Sequence, residues 1–260
     1  MTIPDIFLLT LAGAAGVMTL AWLVCLATGK ASVADSFWGP GFAAVSWVVY
    51  FAGPGETFRN LLIALMVSLW GCRLCLYLTL RNWNRPEDGR YRAIRENMGQ
   101  GFWWKSFFKI FLLQGVLVWI ISLAAQLAQM SSGPSVPGFF DLLGIFLWVA
   151  GFGFESVADH QMRRFKNDPA NRGKVLDRGL WAYSRHPNYF GETLMWWGIY
   201  CMALQTGYGP AGLISPVVIT WLLIRVSGIR ITETHTRQSR PEYAEYQRKV
   251  SPFIPWFRKA

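Results

Sequence analysis

Apolar residues dominate the chain in long runs separated by polar breaks, and the length of those runs sets the class of fold. Seven runs stand out, at about 5–28, 34–53, 59–80, 106–130, 138–162, 188–207 and 210–230. Each approaches the roughly 20 residues that an α-helix needs to cross a bilayer core. The pattern predicts an all-α polytopic membrane protein with about seven transmembrane helices. The run at 34–53 is the weakest, because Asp35, Gly39, Pro40 and Gly41 interrupt its start. A broken helix entry is tolerated in a bilayer only where protein or a cavity covers the backbone. No period of 20–50 residues repeats, which excludes a solenoid.

Short connections at 53–58, 131–138 and 205–210 alternate with long charged ones at 81–105, 163–187 and 231–260. Every Lys and Arg except Arg59 falls on the side that holds Lys30, the long connections and the C-terminal segment. That bias predicts an integral membrane protein with the N-terminus outside and the long basic loops and C-terminus in the cytosol. The net charge of +10 is then a matter of topology, and no nucleic-acid partner is expected. Single-strand nucleic-acid sites do mix Arg with aromatics as 81–105 does, but a loop tethered between two spans reads as an interfacial amphipathic helix. The segment Pro252–Phe257 reads as a return to the membrane face. Asp5 and the lack of a basic n-region make 5–28 an uncleaved first span.

Composition agrees, with 53% hydrophobic residues, 16% aromatic and only 15% charged. Cys25, Cys72, Cys75 and Cys201 all lie inside apolar runs, so no disulfide framework is expected. Cys72 and Cys75 have ligand-like spacing, but no second pair follows at a zinc distance, and no metal site is predicted.

Candidate chemistry concentrates in Tyr183-Ser184-Arg185-His186-Pro187-Asn188-Tyr189-Phe190-Gly191-Glu192, where a basic loop meets an apolar helix. Pro187 suits the first turn of a helix, with His186 or Ser184 as the cap. The free amides and dipole of that helix favour an anion, and Arg185 adds a full charge. Asn188 and Glu192, four apart, share a face. Earlier in the chain, Glu155, Asp159, Arg163 and Lys166 step by 4, 4 and 3 and form a charged stripe, either as simple pairing at a helix end or as the lining of a ligand site. Arg225 either snorkels to the headgroups or points inward, and Arg230 and Glu233 follow it. A phosphate-binding G-x-x-x-x-G-K-[ST] loop, a dinucleotide fingerprint after a strand, H-x-x-x-H spacing and a G-x-S-x-G elbow are all missing.

The run Ser184–Glu192, followed by a span and then Tyr243-x-x-Tyr246-x-x-x-Val250-x-Pro252-Phe253-Ile254-Pro255, resembles the C-terminal half of the steroid 5α-reductase family, and more closely its bacterial branch of domain-of-unknown-function membrane proteins. More distantly it is similar to the isoprenylcysteine carboxyl methyltransferases, which carry a related R-H-P-x-Y motif. The resemblance implies a bacterial inner membrane, a C-terminal half, 131–260, that surrounds NADPH, and an N-terminal helix group, 1–130, that holds a lipid substrate. It implies cofactor contacts from Asp159, Arg163, Lys166, Tyr183, Arg185, His186, Asn188, Glu192 and Arg230. The family's Gln-Glu pair before a proline is absent, since that stretch here reads Ser36-Phe37-Trp38-Gly39-Pro40. Tyr77 is the candidate donor to the substrate carbonyl, with Asp35 as its orienting partner.

The leading expectation is therefore an NADPH-dependent reductase of a conjugated double bond in a steroid-like or other lipid. One alternative is an S-adenosylmethionine-dependent methyltransferase of a lipid or lipidated cysteine. The other is a non-catalytic lipid- or sterol-binding membrane protein.

Overall fold

The computed structural model describes residues 1–53, 57–83, 85–130, 136–240 and 242–259. The predicted connections at 53–58 and 131–138 lie partly outside these residues. Among the described residues the chain is helical without a β-strand, and extended pairing is confined to a parallel bridge between Ser184 and Ser251. Five helical stretches are long and apolar enough to cross a membrane: Ile3–Thr28, Phe58–Asn82, Phe102–Ile121, Phe139–Asn167 and Gly209–Thr234. The other two expected runs are helical as well. Val33–Ala52 is long enough, but Asp35, Ser36 and the Gly39-Pro40-Gly41 cluster dilute its hydropathy. Pro187–Ala203 has 17 residues, about 26 Å of helix against a hydrocarbon core of roughly 30 Å.

The chain divides into two compact units. The first comprises Met1–Gly138 with Ala203–Ile214, and the second comprises Phe139–Met202 with Ser215–Ala260. The first unit thus runs to residue 138 and takes in the later segment Ala203–Ile214.

In the first unit, α1 (Ile3–Thr28) opens on a reciprocal cap in which Thr2 and Asp5 satisfy each other's backbone amides, and it closes on Gly29 at φ 71°. The next helices are α2 (Val33–Ala52) and α3 (Phe58–Asn82). The expected break at the start of α2 does not occur, since the helix runs continuously with Pro40 inside it. Its neighbour Gly39 serves close packing instead: a Cβ there would lie 2.1 Å from the Gly71 carbonyl oxygen of α3. After α4 (Gly89–Met98), the fourth apolar run is segmented into α5 (Phe102–Ser106), a π-helical stretch Phe107–Leu112, α6 (Leu113–Ile121) and α7 (Leu123–Met130).

Buried amides tie α7 to its neighbours. The Gln126 carboxamide accepts from Thr10 Oγ1 at 2.8 Å and donates to the Trp119 carbonyl at 3.0 Å. Gln129 accepts from Ser46 Oγ at 2.9 Å and donates to the Asn60 carbonyl at 3.0 Å. Arg59 is buried as well.

In the second unit, α8 (Phe139–Asn167) and α9 (Pro187–Ala203) pack through two glycine pairs. Gly144 meets Gly198 and Gly151 meets Gly191, which makes the helices antiparallel; a Cβ on Gly191 would lie 2.5 Å from the Gly151 oxygen. The last apolar run is divided into α10 (Ile214–Trp221), a π-helical stretch Leu222–Val226 and, beyond Gly228, α11 (Ile229–Ser239). A short α12 (Tyr243–Lys249) follows. Tyr243, Tyr246 and Val250 form a small core with Val175, while Ala158, Phe165, Leu176 and Trp181 form another.

Candidate functional site

The stretch 183–192 folds as its chemistry predicts at the helix start and differently at the charges. The His186 carbonyl accepts the Phe190 amide at 3.1 Å, and Ser184 Oγ accepts the His186 amide at 3.1 Å, so the two candidate caps share the task and Pro187 takes the first helical position. Ser184 Oγ in turn donates to the Phe253 carbonyl at 2.7 Å.

Arg185 is engaged within the protein. Its guanidinium pairs with Glu233 of α11 through Nε at 2.7 Å and Nη2 at 3.3 Å, and its Nη1 donates to the carbonyls of Gln247 and Val250, both at 2.8 Å. His186 is buried, stacks on Tyr189 with the rings 2° from parallel, and meets the same Glu233 oxygen at 3.1 Å. Burial lowers the His186 pKa below its ordinary value, against the pull of the Glu233 carboxylate. At neutral pH the ring is therefore uncharged, and Nε2–H donates to Glu233. The expectation that Arg185 offers a full charge to an anion at the helix mouth meets a different geometry, in which that charge is paired with Glu233 and two backbone carbonyls.

The remaining predicted residues sort by depth. Asp159, Glu155 and Glu192 are buried, and the Asn188 carboxamide donates to Asp159 Oδ1 at a long 3.4 Å. The other carboxamide atom, Asn188 Oδ1, is buried without a hydrogen-bond partner. Arg163 and Lys166 are exposed one and two turns beyond Asp159, and Arg230 is exposed on α11. Arg163 also lines an open depression of about 540 Å³ with His160, Arg164, Asn167 and Asp168. Tyr183 is exposed; its carbonyl accepts the Trp256 amide at 2.9 Å and its ring meets Phe257 edge-on.

In the first unit Asp35 and Tyr77 are not partnered as expected. The phenol that donates to Asp35 Oδ1, at 2.6 Å, belongs to Tyr91 on α4, and Arg90 Nη2 pairs with Asp35 Oδ2 at 3.2 Å. Tyr77 instead carries the Arg81 guanidinium over its ring at 5.8 Å. Gln114 of α6 donates through Nε2 to the Tyr91 hydroxyl at 3.2 Å. Burial, reinforced by the Asp35 carboxylate, pushes the Tyr91 phenol well above its ordinary pKa. Tyr91 and Gln114 escaped sequence reasoning. The available signal was Gln114 itself, an amide inside an apolar run, since polar side chains at that depth are rare without a role.

A family model described as "Protein of unknown function (DUF1295)" matches residues 21–250. The chain belongs to the DUF1295 family. Within that frame, an uncharacterized protein of Schizosaccharomyces pombe is 27% identical over 90% of this chain and 75% of its own length. The 3-oxo-5-alpha-steroid 4-dehydrogenase 1 of Macaca fascicularis is 31% identical over 116 residues, 44% of this DUF1295 chain and 41% of that protein. The Delta(14)-sterol reductase of Ascobolus immersus is 29% identical over 114 residues, 38% of this chain and 26% of that protein. The chain thus spans about a quarter to two-fifths of these two reductases. No solved structure matches.

Proposed function

We propose that this DUF1295 protein is a membrane-embedded, NADPH-dependent reductase of a double bond conjugated to a carbonyl in a lipid. The local similarity to a steroid dehydrogenase and a sterol reductase supports the reaction class. The observation that carries the cofactor is the orphaned Asn188 Oδ1, a buried acceptor whose sister atom is held by buried Asp159. An unmet acceptor beside two buried acids, Asp159 and Glu192, fits a ligand edge rich in N–H and O–H donors, as in a carboxamide or a ribose. Exposed Arg163, Lys166 and Arg230 fit the phosphates. When bound, NADPH supplies the hydride that adds to the β-carbon of the conjugated system.

In this reading Asn188, Asp159 and Glu192 hold the uncharged donor groups of the cofactor. Arg185 and His186 act one step back, by fixing the start of α9 through Glu233 so that Asn188 is presented at a set position. Tyr77 remains the proposed donor of the proton that the substrate oxygen takes up as the double bond is reduced. Asp35 leaves that role, because Tyr91 and Arg90 occupy it. We place the basic loops in the cytosol, where NADPH is available, on the Lys and Arg bias.

The test is thermal stabilisation of the detergent-purified chain. NADPH should raise Tm, and Asn188→Ala should weaken that rise roughly tenfold in apparent affinity, the equivalent of about 1.4 kcal/mol. Stabilisation by S-adenosylmethionine and not by NADPH would replace this reading with a methyltransferase.

A further inference from the structure

The polar cluster of the first unit fixes its own hydrogen-bond directions. Asp35 is a carboxylate paired with Arg90, so it accepts, and the Tyr91 hydroxyl must point its hydrogen at Asp35. With its one proton committed, the Tyr91 oxygen takes part in any further bond only as an acceptor. The Gln114 group at 3.2 Å from it must therefore be the NH2 end, which sets the amide orientation that is otherwise ambiguous in a carboxamide. The Gln114 carbonyl then faces away from Tyr91, and Gln114 Oε1 is buried with no donor. Leaving such an acceptor unmet costs about 1–3 kcal/mol. Gln114 stands near the middle of the span Phe102–Ile121, where bulk water is remote and apolar molecules are the available ligands.

Among the described residues no donor reaches Gln114 Oε1. Arg90 is held by Asp35 and Asp88, and the Glu87 carboxylate is occupied by the Ala31 amide at 2.6 Å and by Arg95 at 3.1 Å. The Tyr91 oxygen and Gln114 Oε1 thus both offer acceptor capacity, while Gln114 Nε2 keeps one N–H beyond the one given to Tyr91. We propose that Gln114 Oε1, backed by Tyr91, receives the hydroxyl hydrogen of a lipid alcohol, so that the substrate class is a hydroxyl-bearing lipid. This deepens the reductase reading and rests on it for calling the alcohol a substrate. A ketone or ether oxygen has no hydrogen to give Gln114 Oε1 and would leave it unmet, so binding through this acceptor discriminates against an analogue that lacks the hydrogen.

The experiment measures Tm shifts of the full chain in detergent, without NADPH, on adding farnesol, geranylgeraniol or cholesterol, each beside its methyl ether. The ether keeps the oxygen and removes the hydrogen. At least one alcohol should stabilise the protein, with its ether roughly tenfold weaker. Gln114→Leu and Tyr91→Phe should each erase that difference, and either variant suffices if the other fails to fold. The proposal is overturned if no alcohol in the panel shifts Tm, if ether and alcohol act alike, or if the preference survives in the folded variants. A water alone at Gln114 Oε1 would show as a Gln114→Leu variant of higher Tm with no alcohol effect in the parent, which also overturns it. Alcohol binding that persists in a protein indifferent to NADPH would sink the reductase reading and leave this site standing.

Discussion

The two units each hold a polar cluster built around an Arg–carboxylate pair, and the clusters end differently. In the second unit, Arg185 meets both Glu233 oxygens and two backbone carbonyls, while Glu233 also receives His186 and, at 2.8 Å, Gln247 Nε2. That network closes on itself and ties α9 to α11 and α12. In the first unit, Arg90, Asp35, Tyr91 and Gln114 form a chain of donors and acceptors that runs into the bundle and stops at an unmet carbonyl. A closed network is architecture, whereas one with a loose end is where a ligand gains most. Charge density alone does not separate the two.

The contrast can be broken most forcefully at Arg185. Arg185→Ala removes one partner of a mostly buried pair and leaves Glu233 uncompensated, which should cost about 3–5 kcal/mol. Limited proteolysis should then cut the segment after α12 much faster than in the parent, and an unchanged cutting rate would mean that the network is not structural. A paired substitution sharpens the comparison within the first unit. Gln129→Leu strips donors and acceptors from Ser46 and Asn60 and should cost about 1–3 kcal/mol. Gln114→Leu removes an atom that is already unmet and should cost less, or stabilise, in the same thermal melts; equal losses would argue that Gln114 is as fully engaged as Gln129.

The smallest effect is one of pH. The folded pKa of His186 lies below its ordinary value of 6.5, so below 6.5 the unfolded chain takes up a proton that the folded chain resists. Stability is fully present above pH 6.5 and declines as pH falls toward the folded pKa. The fall in Tm between pH 7 and 5 should be shallower in His186→Gln, and identical slopes would remove His186 from the account.

Much of the helical architecture was legible because its causes are local. Run length marks the spans, and Pro187 with Ser184 and His186 marks the start of α9 without help from distant residues. The charges were misleading because their partners are far along the chain: Glu233 lies 48 residues beyond Arg185, and Tyr91 lies 56 beyond Asp35. Glycine told a similar story. Gly39 beside Pro40 looks like a helix breaker, yet its lack of a side chain serves contact with Gly71, which only the pairing of α2 with α3 makes visible.

The backbone pairing between Ser184 and Ser251, with the Arg185 amide on the Ser251 carbonyl and the Trp256 amide on that of Tyr183, sets an order of events during synthesis. The ribosome adds some 5–20 residues per second, so α9 emerges and enters the bilayer several seconds before the strap that braces its first turn exists. The second unit must wait, unfinished, for residues 250–257. A stalled or clipped nascent chain would therefore yield a protein that is inserted yet lacks the brace on the first turn of α9.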